Sequence, residues 1–352
     1  MLTSGGDCQA LNAAMRGVVK TLANFDNKLV IYGFLNGYQG LIYGKYQEMR
    51  KNDFSGLLTR GGTILGTSRT PFKEIDIPTE DGLDKVKAMK ATYKKLKLDC
   101  LVILGGNGTQ KTANRLREEG LNVIHLPKTI DNDIYGTDVT FGFYSAIDIA
   151  TRAIDCIHTT AASHNRVFIV EVMGHKVGWL TLYAGVGAGA DVILIPEIPY
   201  DLDKVIKAID ARHKDGKQFT ILAVAEGAIS KELAKLPKKE RKKIIADSKY
   251  PSVSYDIADK IQQKTGMEVR VTVPGHMQRG GEPGAYDRIL CTRLGAAAGK
   301  AILDKDFGNM IAMVDGETKR VPLEDVAGKL KVVDPECSMV KEIRDLGISF
   351  GD

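Results

Sequence analysis

The sequence has 352 residues, of which 43% are hydrophobic and 26% charged, and this length fits one or two α/β domains rather than a minimal domain. The net charge of +5 is mild. The five cysteines are scattered without a CxxC pair or metal-ligand spacing, so we expect reduced thiols rather than a disulfide framework. We find no secretory segment and no apolar run long enough to cross a bilayer, which predicts a cytoplasmic protein without a membrane partner.

Short apolar runs rich in β-branched residues alternate with longer amphipathic stretches. The predicted strands are 29–32, 101–104, 123–124, 167–170, 192–195, 220–224, 269–273 and 310–314. The predicted helices include 85–97, with Asp84 as the N-cap, and 203–215. This alternation predicts an α/β fold with mainly parallel sheets flanked by helices. Ligands should then bind beyond the carboxyl ends of the strands.

The first motif is TSGGD at residues 3–7, which leads into a helical stretch at 11–16. Glycines let the backbone approach a phosphate, and a helix N-terminus supplies unpaired N–H donors. A glycine-rich turn of this kind usually follows a buried strand, but few residues precede this one. The first strand is therefore predicted to be truncated or missing. Taken alone, the motif is also compatible with a simple tight turn.

The second motif, LGGNGT at 104–109, follows a predicted strand and repeats the same arrangement. Two such loops suggest a polyphosphate held from two sides. The third motif, PKTIDND at 127–133, places two carboxylates on one loop after a strand. One carboxylate can accept a hydroxyl proton while the other helps to hold Mg²⁺. An Asx-rich turn is the structural alternative for this loop.

Two further motifs carry polar groups suited to an anionic polyol. They are MGH at 173–175 and GHMQRGG at 275–281. Arg166, Glu226 and Arg270 stand at other strand ends, and arginine is suited to bidentate phosphate recognition. The basic run at 238–243 could bind nucleic acid or form a solvated helix face. No aromatic residues interleave with it, which favours the helix face and no nucleic-acid partner.

These segments resemble the signatures of the ATP-dependent 6-phosphofructokinases in their usual order, through nearly the whole chain. The matching segments are residues 3–7, 60–63 with Gly66, 129–133, 170–174, and 275–281 with 286–288. The resemblance implies transfer of the γ-phosphoryl group of ATP to the 1-hydroxyl of fructose 6-phosphate in glycolysis. It also implies two similar domains, 1–140 with about 279–325 and 141–278 with about 326–352, and an active site in the cleft between them.

The resemblance also implies roles for individual residues. Asp131 would be the base that takes the proton of the sugar hydroxyl, with Thr129 and Lys128 near the transferring phosphoryl group. The nucleotide would be bound by Gly5, Gly6, Tyr38, Arg69, Gly105, Gly106, Asn107, Gly108 and Thr109. The sugar phosphate would be bound by Thr129, Asp131, Arg166, Met173, Gly174, His175, Glu226, Arg270, His276 and Arg279. Mg²⁺ would be held by Asn107 and Asp133.

In the family, two arginines reach the 6-phosphate from a neighbouring subunit, and Arg166 and Arg270 match them. The resemblance therefore implies a homodimer or homotetramer with shared sugar sites. The chain departs from the family at three of its site residues, Asn107, His175 and Lys128. Asn107 stands where an aspartate usually serves the metal, and His175 replaces an arginine. An amide oxygen can still bind Mg²⁺, but it brings no charge.

Two residues point to different phosphoryl donors. Pyrophosphate-specific members of the family typically carry an aspartate at position 108, whose charge and bulk oppose the α-phosphate of a nucleotide. Gly108 leaves room for that phosphate and favours ATP. Lys128 replaces a glycine that is frequent in bacterial ATP-dependent enzymes, and it favours pyrophosphate, although it also occurs in ATP-using members. We expect ATP, with pyrophosphate as the alternative.

Two other classes of function stay open at this point. A non-catalytic sugar-phosphate sensor would explain Asn107, His175 and the absent first strand, but it would not need to keep Asp131 and Asp133 together. Another kinase with a similar glycine-rich loop, such as an NAD or lipid kinase, would not account for residues 276–281.

Overall fold

The computed structural model describes residues 1–26 and 28–352, which divide into two compact units. The first unit comprises Met1–Ser145 and Arg279–Lys331. The second comprises Ala146–Gln278 and Val332–Asp352. Within the described residues, no helix is long and apolar enough to cross a membrane.

The first unit contains a five-stranded sheet and a separate two-stranded sheet. In chain order its strands are β1 (Leu2–Ser4), β2 (Ile31–Phe34), β3 (Tyr46–Met49), β4 (Leu101–Gly105) and β5 (Val123–Pro127), then β10 (Asn309–Val314) and β11 (Glu317–Pro322). The order of the larger sheet is β1-β4-β5-β10-β11, with only the β10–β11 pair antiparallel. Strands β2 and β3 form the two-stranded sheet and are antiparallel. Strands β4 and β5 are buried along their whole length because helices cover them.

The second unit contains a four-stranded sheet in which every pairing is parallel. Its strands are β6 (Val167–Val172), β7 (Val192–Leu194), β8 (Thr220–Ala225) and β9 (Val269–Thr272). Their order in the sheet is β7-β8-β6-β9. Strands β6, β7 and β8 are fully buried and form the centre of this unit's apolar core.

Helices surround both sheets. The α-helices are α1 (Leu11–Phe25), α2 (Tyr38–Tyr43), α3 (Lys85–Lys95), α4 (Asn107–Glu118), α5 (Phe143–Ala161), α6 (Trp179–Gly187), α7 (Leu202–Lys214), α8 (Lys231–Ala234), α9 (Lys238–Ala246), α10 (Val253–Thr265), α11 (Ala285–Leu303), α12 (Leu323–Val326) and α13 (Ser338–Asp345). Short 3₁₀ helices span Lys51–Phe54, Phe72–Glu74 and Gly275–Arg279. The basic run lies in α9, which buries no side chain, so it forms a solvated helix face.

The α/β architecture with mainly parallel sheets is confirmed. The first strand is present but short, since β1 has three residues, and it pairs in parallel with β4 through Leu2 and Ile103. Helix α1 is held behind the first loop by close packing on α11. A Cβ at Gly17 would lie 3.0 Å from the carbonyl oxygen of Cys291, and one at Gly295 would lie 2.7 Å from that of Ala14. Only glycine permits this approach of the two helices.

Candidate active site

The first glycine-rich loop lies between β1 and α1. Gly5 has φ +88°, a conformation that glycine adopts without strain, and its N–H donates to the carbonyl oxygen of Ser68 at 3.0 Å. The hydroxyl of Thr67 donates to the carbonyl oxygen of Gly5 at 2.7 Å. A Cβ at Gly6 would overlap the guanidinium of Arg279, which therefore lies directly against the loop. The loop thus combines half-buried glycine backbone with an adjacent cation.

The second loop joins β4 to α4 and lies beside the first one, because β1 and β4 are neighbouring parallel strands. Thr109 links the two loops, since its hydroxyl donates to the carbonyl oxygen of Ser4 at 3.3 Å. Gly105 has to be glycine, because a Cβ there would overlap the side chain of Thr109. Gly106 is the N-cap of α4, so the unpaired N–H groups of that helix open onto the loop.

Tyr38 is placed behind this loop rather than in front of it. Its ring is fully buried in the apolar core of the first unit, and its hydroxyl donates to the carbonyl oxygen of Thr109 at 2.9 Å. Contact with a nucleotide, which the resemblance implies, is not available to a side chain with no exposed surface. Tyr38 instead supports the backbone of the loop.

Gly108 and Asn107 form the first turn of α4 and differ in their surroundings. Gly108 is exposed, and a Cβ there would meet no atom within 4 Å. Asn107 uses its amide nitrogen to donate to the carbonyl oxygen of Lys329 at 2.7 Å. This hydrogen bond leaves the amide oxygen of Asn107 as the atom that can bind a metal ion.

Lys128 follows β5 and extends toward the first loop. It is only 3% exposed, and its ammonium donates a hydrogen bond to the carbonyl oxygen of Gly6. Burial lowers its pKa, while the nearby charges of Asp131 and Asp7 oppose that change. The side chain therefore brings a buried hydrogen-bond donor to the glycine loops, where phosphate oxygens can be bound.

The third loop, after β5, holds Asp131 on a rigid turn. Asn132 has φ +53°, and its amide oxygen accepts from the N–H of Thr140 at 3.1 Å. The hydroxyl of Thr140 donates to the carbonyl oxygen of Thr129 at 2.7 Å, and the N–H of Asp131 donates to the hydroxyl of Thr129 at 3.0 Å. Asparagine tolerates this left-handed conformation better than most residues. The loop can therefore present the carboxylate of Asp131 in a fixed orientation.

His125 supports the second loop from within the sheet. It is fully buried on β5, and its Nε2 lies 3.1 Å from the carbonyl oxygen of Gly105. Its Nδ1 is buried without a hydrogen-bond partner, so the neutral ring is expected to carry its proton on Nε2 and donate it to Gly105. Burial lowers the pKa of His125 to about 3, helped by the charge of Lys128 and opposed by the bond to Gly105.

This lowered pKa predicts a pH dependence of stability. Between pH 6.5 and about 3 the unfolded chain binds a proton at His125 that the folded chain does not, so the free energy of unfolding should fall as pH falls. His125→Phe should reduce the slope of the unfolding free energy against pH in this range by up to about 1.4 kcal/mol per pH unit. Urea denaturation at several pH values measures the slope, with the exposed His213→Gln as control. Equal slopes for His125→Phe and the wild-type protein would contradict a neutral buried ring.

The residues expected to hold Mg²⁺ are suited to that ion by ligand type. The amide oxygen of Asn107 and the carboxylate of Asp133 are hard oxygen ligands. Lys331 contributes positive charge near Asp133, and burial lowers its pKa to about 8. Across the part of the chain that the structure describes, no group of three or more His, Cys, Asp or Glu side chains is arranged to hold a metal ion.

In the second unit, Glu226 organises a turn at the carboxyl end of β6. Its Oε1 accepts from the N–H of His175 at 2.7 Å and from that of Gly174 at 3.3 Å. The N–H of Met173 donates to Gln278 at 3.2 Å, and Gln278 is fully buried. The exposed side chains of Glu226 and His175 therefore stand on a backbone that is fixed by hydrogen bonds.

Arg166 and Arg270 lie with Glu268 near the amino ends of β6 and β9, away from this turn. Both arginines form ion pairs with Glu268. At about 3.3 Å per residue, the chain from Arg166 to Met173 spans about 23 Å. A hexose phosphate is much shorter than this. Within one unit, Arg166 is therefore far from the turn at Met173 along β6, and Arg270, which pairs with Phe168, is about 17 Å from that turn by the same rise per residue.

Three other expected residues are placed as follows. Arg69 is exposed and follows Ser68, whose carbonyl oxygen binds the first loop. His276 is exposed on the 3₁₀ helix Gly275–Arg279. Arg279, which the resemblance assigns to the sugar phosphate, donates to the carbonyl oxygen of Asp7 at 3.4 Å and therefore lies at the first loop.

Several residues that support these loops or the arginine pair were given no individual role from the sequence. They include Asn132, Gln278 and Glu268, together with Asp287. Asp287 is fully buried and accepts from the N–H groups of Gly142 and Ser145 at 2.9 Å each. The asparagine within TIDND was the one available signal, because asparagine favours left-handed turns. Gln278 and Asp287 act through partners far away in the chain, and Glu268 joins its close neighbour Arg270 to the distant Arg166.

Two glycine loops at the carboxyl ends of neighbouring parallel strands, with a buried lysine and a rigid carboxylate loop beside them, are typical of an α/β protein suited to phosphoryl transfer. The phosphofructokinase family model, described as "Phosphofructokinase", matches residues 1–302. The chain belongs to this family.

Similar proteins support the assignment over the full length. The chain is 55% identical over 355 residues to an ATP-dependent 6-phosphofructokinase of Spirochaeta thermophila, covering 100% of this chain and 97% of the relative. Its structure resembles Pichia pastoris phosphofructokinase with a TM-score of 0.77 and 34% identity, covering 93% of this chain and 35% of the much longer yeast chain. A pyrophosphate-dependent phosphofructokinase of Marinobacter aquaeolei has a TM-score of 0.79 at 22% identity, covering 99% and 90% of the two chains. The last likeness shows the fold alone.

Proposed function

We propose that the chain is an ATP-dependent 6-phosphofructokinase, which transfers the γ-phosphoryl group of ATP to the 1-hydroxyl of fructose 6-phosphate. The observation that carries the proposal is the full-length identity of 55% to an ATP-dependent enzyme of that name. The products are fructose 1,6-bisphosphate and ADP, which places the enzyme in glycolysis, and the expected location is the cytoplasm.

Asp131 acts as the general base in this proposal. Its carboxylate accepts the proton of the 1-hydroxyl as that oxygen bonds to the γ-phosphorus, and the bond from the γ-phosphorus to the bridging oxygen of ADP breaks. Thr129 holds the loop in register through the N–H of Asp131. Lys128 and Arg279 lie at the first loop, where positive charge stabilises the transferring phosphoryl group.

The glycine loops bind the phosphates of ATP through backbone N–H groups. Gly5, Gly6, Gly105, Gly106, Gly108 and Thr109 contribute to this binding, with Arg69 at the rim. Asn107 and Asp133 would hold Mg²⁺, which neutralises charge on the phosphates when bound. Since Asn107 is uncharged, the carboxylate of Asp133 supplies most of the attraction for the ion.

The sugar phosphate is bound by residues from two copies of the chain. Met173, Gly174, His175, Glu226 and His276 bind the fructose part, and Arg166 and Arg270 of a neighbouring subunit bind the 6-phosphate. The separation of about 23 Å between Arg166 and Met173 along β6 supports this division, because it is longer than a hexose phosphate. The active form is therefore a homodimer or a homotetramer.

The choice of ATP over pyrophosphate can be tested at Gly108. A Cβ at this position meets open space, so Gly108→Asp should fold normally. Its charge should repel the α-phosphate by on the order of 4 kcal/mol at about 4 Å and an effective dielectric near 20. A third of this energy lowers ATP use about tenfold relative to pyrophosphate use.

The measurement is the initial rate with saturating fructose 6-phosphate and either donor, for the wild-type protein, Gly108→Asp and the uncharged control Gly108→Ala. The control should keep the wild-type preference for ATP. A wild-type preference for pyrophosphate would mean that Lys128 is the better indicator of the donor. If Gly108→Asp lowered the initial rate equally with ATP and with pyrophosphate, repulsion of the α-phosphate would not be the cause.

A further inference from the structure

Glu268 lies between the two arginines that are proposed to bind the 6-phosphate, and it contacts both of them. Its Oε2 accepts from Nε of Arg166, and its Oε1 pairs with Nη2 of Arg270. One carboxylate thus bridges two guanidinium groups, that of Arg166 just before β6 and that of Arg270 in β9. No role in the proposed reaction accounts for this residue.

Backbone hydrogen bonds alone place Arg166, Glu268 and Arg270 close together. The N–H of Val167 donates to the carbonyl oxygen of Glu268 at 3.1 Å, which places Arg166 and Glu268 next to each other just before the neighbouring strands β6 and β9. The carbonyl oxygen of Arg166 accepts in turn from the N–H of Thr220 at 3.3 Å. The parallel register of β6 and β9 pairs Phe168 with Arg270. The three charged side chains therefore stand on a rigid part of the second unit.

The charges explain what the carboxylate contributes. Two guanidinium groups repel each other, and long side chains without a shared partner would separate. A guanidinium has five N–H donors, so the bond to Glu268 occupies only part of each arginine. Arg270 is 58% exposed in its side chain, so a ligand can reach the remaining donors. The bridge leaves the arginines close together and still able to bind an anion.

We infer that Glu268 is a positioning residue for the 6-phosphate, which holds the guanidinium groups of Arg166 and Arg270 side by side so that their remaining N–H groups bind one phosphate dianion. The inference rests on the proposed function, because the anion in question is the phosphate of fructose 6-phosphate. Arginines that are ordered in advance lose less conformational freedom when the ligand binds, and this strengthens binding without a contact between Glu268 and the sugar.

The test is a set of substitutions with the KM for fructose 6-phosphate as the readout. Glu268→Ala should raise this KM roughly tenfold, as expected when two long side chains must be ordered by the ligand. The kcat at saturating sugar and the KM for ATP should not change. Glu268→Gln keeps the size of the side chain but loses its charge, and it should give an intermediate KM. The control is Glu317→Ala, which removes an exposed ion pair with Arg293 at 3.4 Å and should leave the KM unchanged.

A double-mutant cycle separates positioning from a general structural effect. In the Arg270→Ala background no pair of arginines is left to hold together, so Glu268→Ala should add much less to the KM than it does in the wild-type protein. If Glu268→Ala raised the KM by the same factor in the Arg270→Ala background as in the wild-type protein, the inference would be overturned. An unchanged or lowered KM in Glu268→Ala would also overturn it, and a lowered value would mean that the carboxylate competes with the phosphate. If Glu268→Ala does not fold, as judged by thermal melting, Glu268→Gln decides by the same criteria.

The proposed function and the role of Glu268 can be refuted separately. A wild-type protein that does not phosphorylate fructose 6-phosphate would refute the proposed function and the inference with it. An active wild-type protein with an unaltered KM in the Glu268 variants would refute the inference alone.

Discussion

Asp131→Asn is expected to reduce the kcat for phosphorylation of fructose 6-phosphate by about 10²–10⁴-fold, the range typical for loss of a general base. The amide has nearly the same shape as the carboxylate but cannot accept the proton of the 1-hydroxyl. The hydrogen bond from the N–H of Asp131 to Thr129 involves the backbone and should survive. The loop should therefore keep its conformation, held by Asn132 and Thr140.

The measurement combines steady-state rates with equilibrium binding of fructose 6-phosphate. The dissociation constant should change little in Asp131→Asn, because the substitution removes proton acceptance rather than binding. Asp155→Asn, an exposed aspartate on α5, is the matched control and should keep the wild-type rate. If Asp131→Asn retained most of its kcat, the base would have to be another group.

Arg166→Ala and Arg270→Ala are each expected to raise the KM for fructose 6-phosphate by roughly 10–150-fold. The range corresponds to the loss of charge-assisted contacts worth about 1.5–3 kcal/mol. The KM for ATP should stay close to the wild-type value, because the nucleotide loops belong to the other unit of the chain. Rates measured over a range of either substrate separate the two constants.

The same arginines test whether sugar sites are shared between subunits. When Asp131→Asn and Arg270→Ala subunits are mixed and exchanged, half of the dimers are hybrids, and one of the two sites in each hybrid has both native residues. Activity should then recover to about a quarter of the wild-type rate. The absence of any recovery after verified exchange would contradict a site built from two chains.

Local patterns in the sequence predicted most of the buried elements. Strand β4 was predicted at 101–104 and spans Leu101–Gly105, because a continuous apolar run is typical of a strand buried on both faces. Helix α3 begins after Asp84 as predicted, and the side chain of this residue accepts from the N–H of Lys87 at 3.0 Å. Strand β3 of the two-stranded sheet and the edge strand β11 were missed. Their residues are largely exposed and polar, so they lack the apolar periodicity on which the prediction depended.

The glycine loops could be recognised from the sequence because their function depends on residues that are adjacent in the chain. The supporting contacts could not, since they join distant segments. Tyr38 reaches Thr109, and Glu226 reaches His175, through hydrogen bonds that only the folded chain brings together. The bridge formed by Glu268 depends on the pairing of β6 with β9, which no spacing in the sequence encodes.

The most direct test of the proposed activity is to follow the label of [γ-³²P]ATP in the purified protein with fructose 6-phosphate and Mg²⁺. We predict that the label appears in fructose 1,6-bisphosphate in equal amounts with ADP, and that Asp131→Asn slows this transfer by at least about 100-fold. Label that is released only as inorganic phosphate, or a sugar bisphosphate that forms from pyrophosphate but not from ATP, would contradict the proposed function.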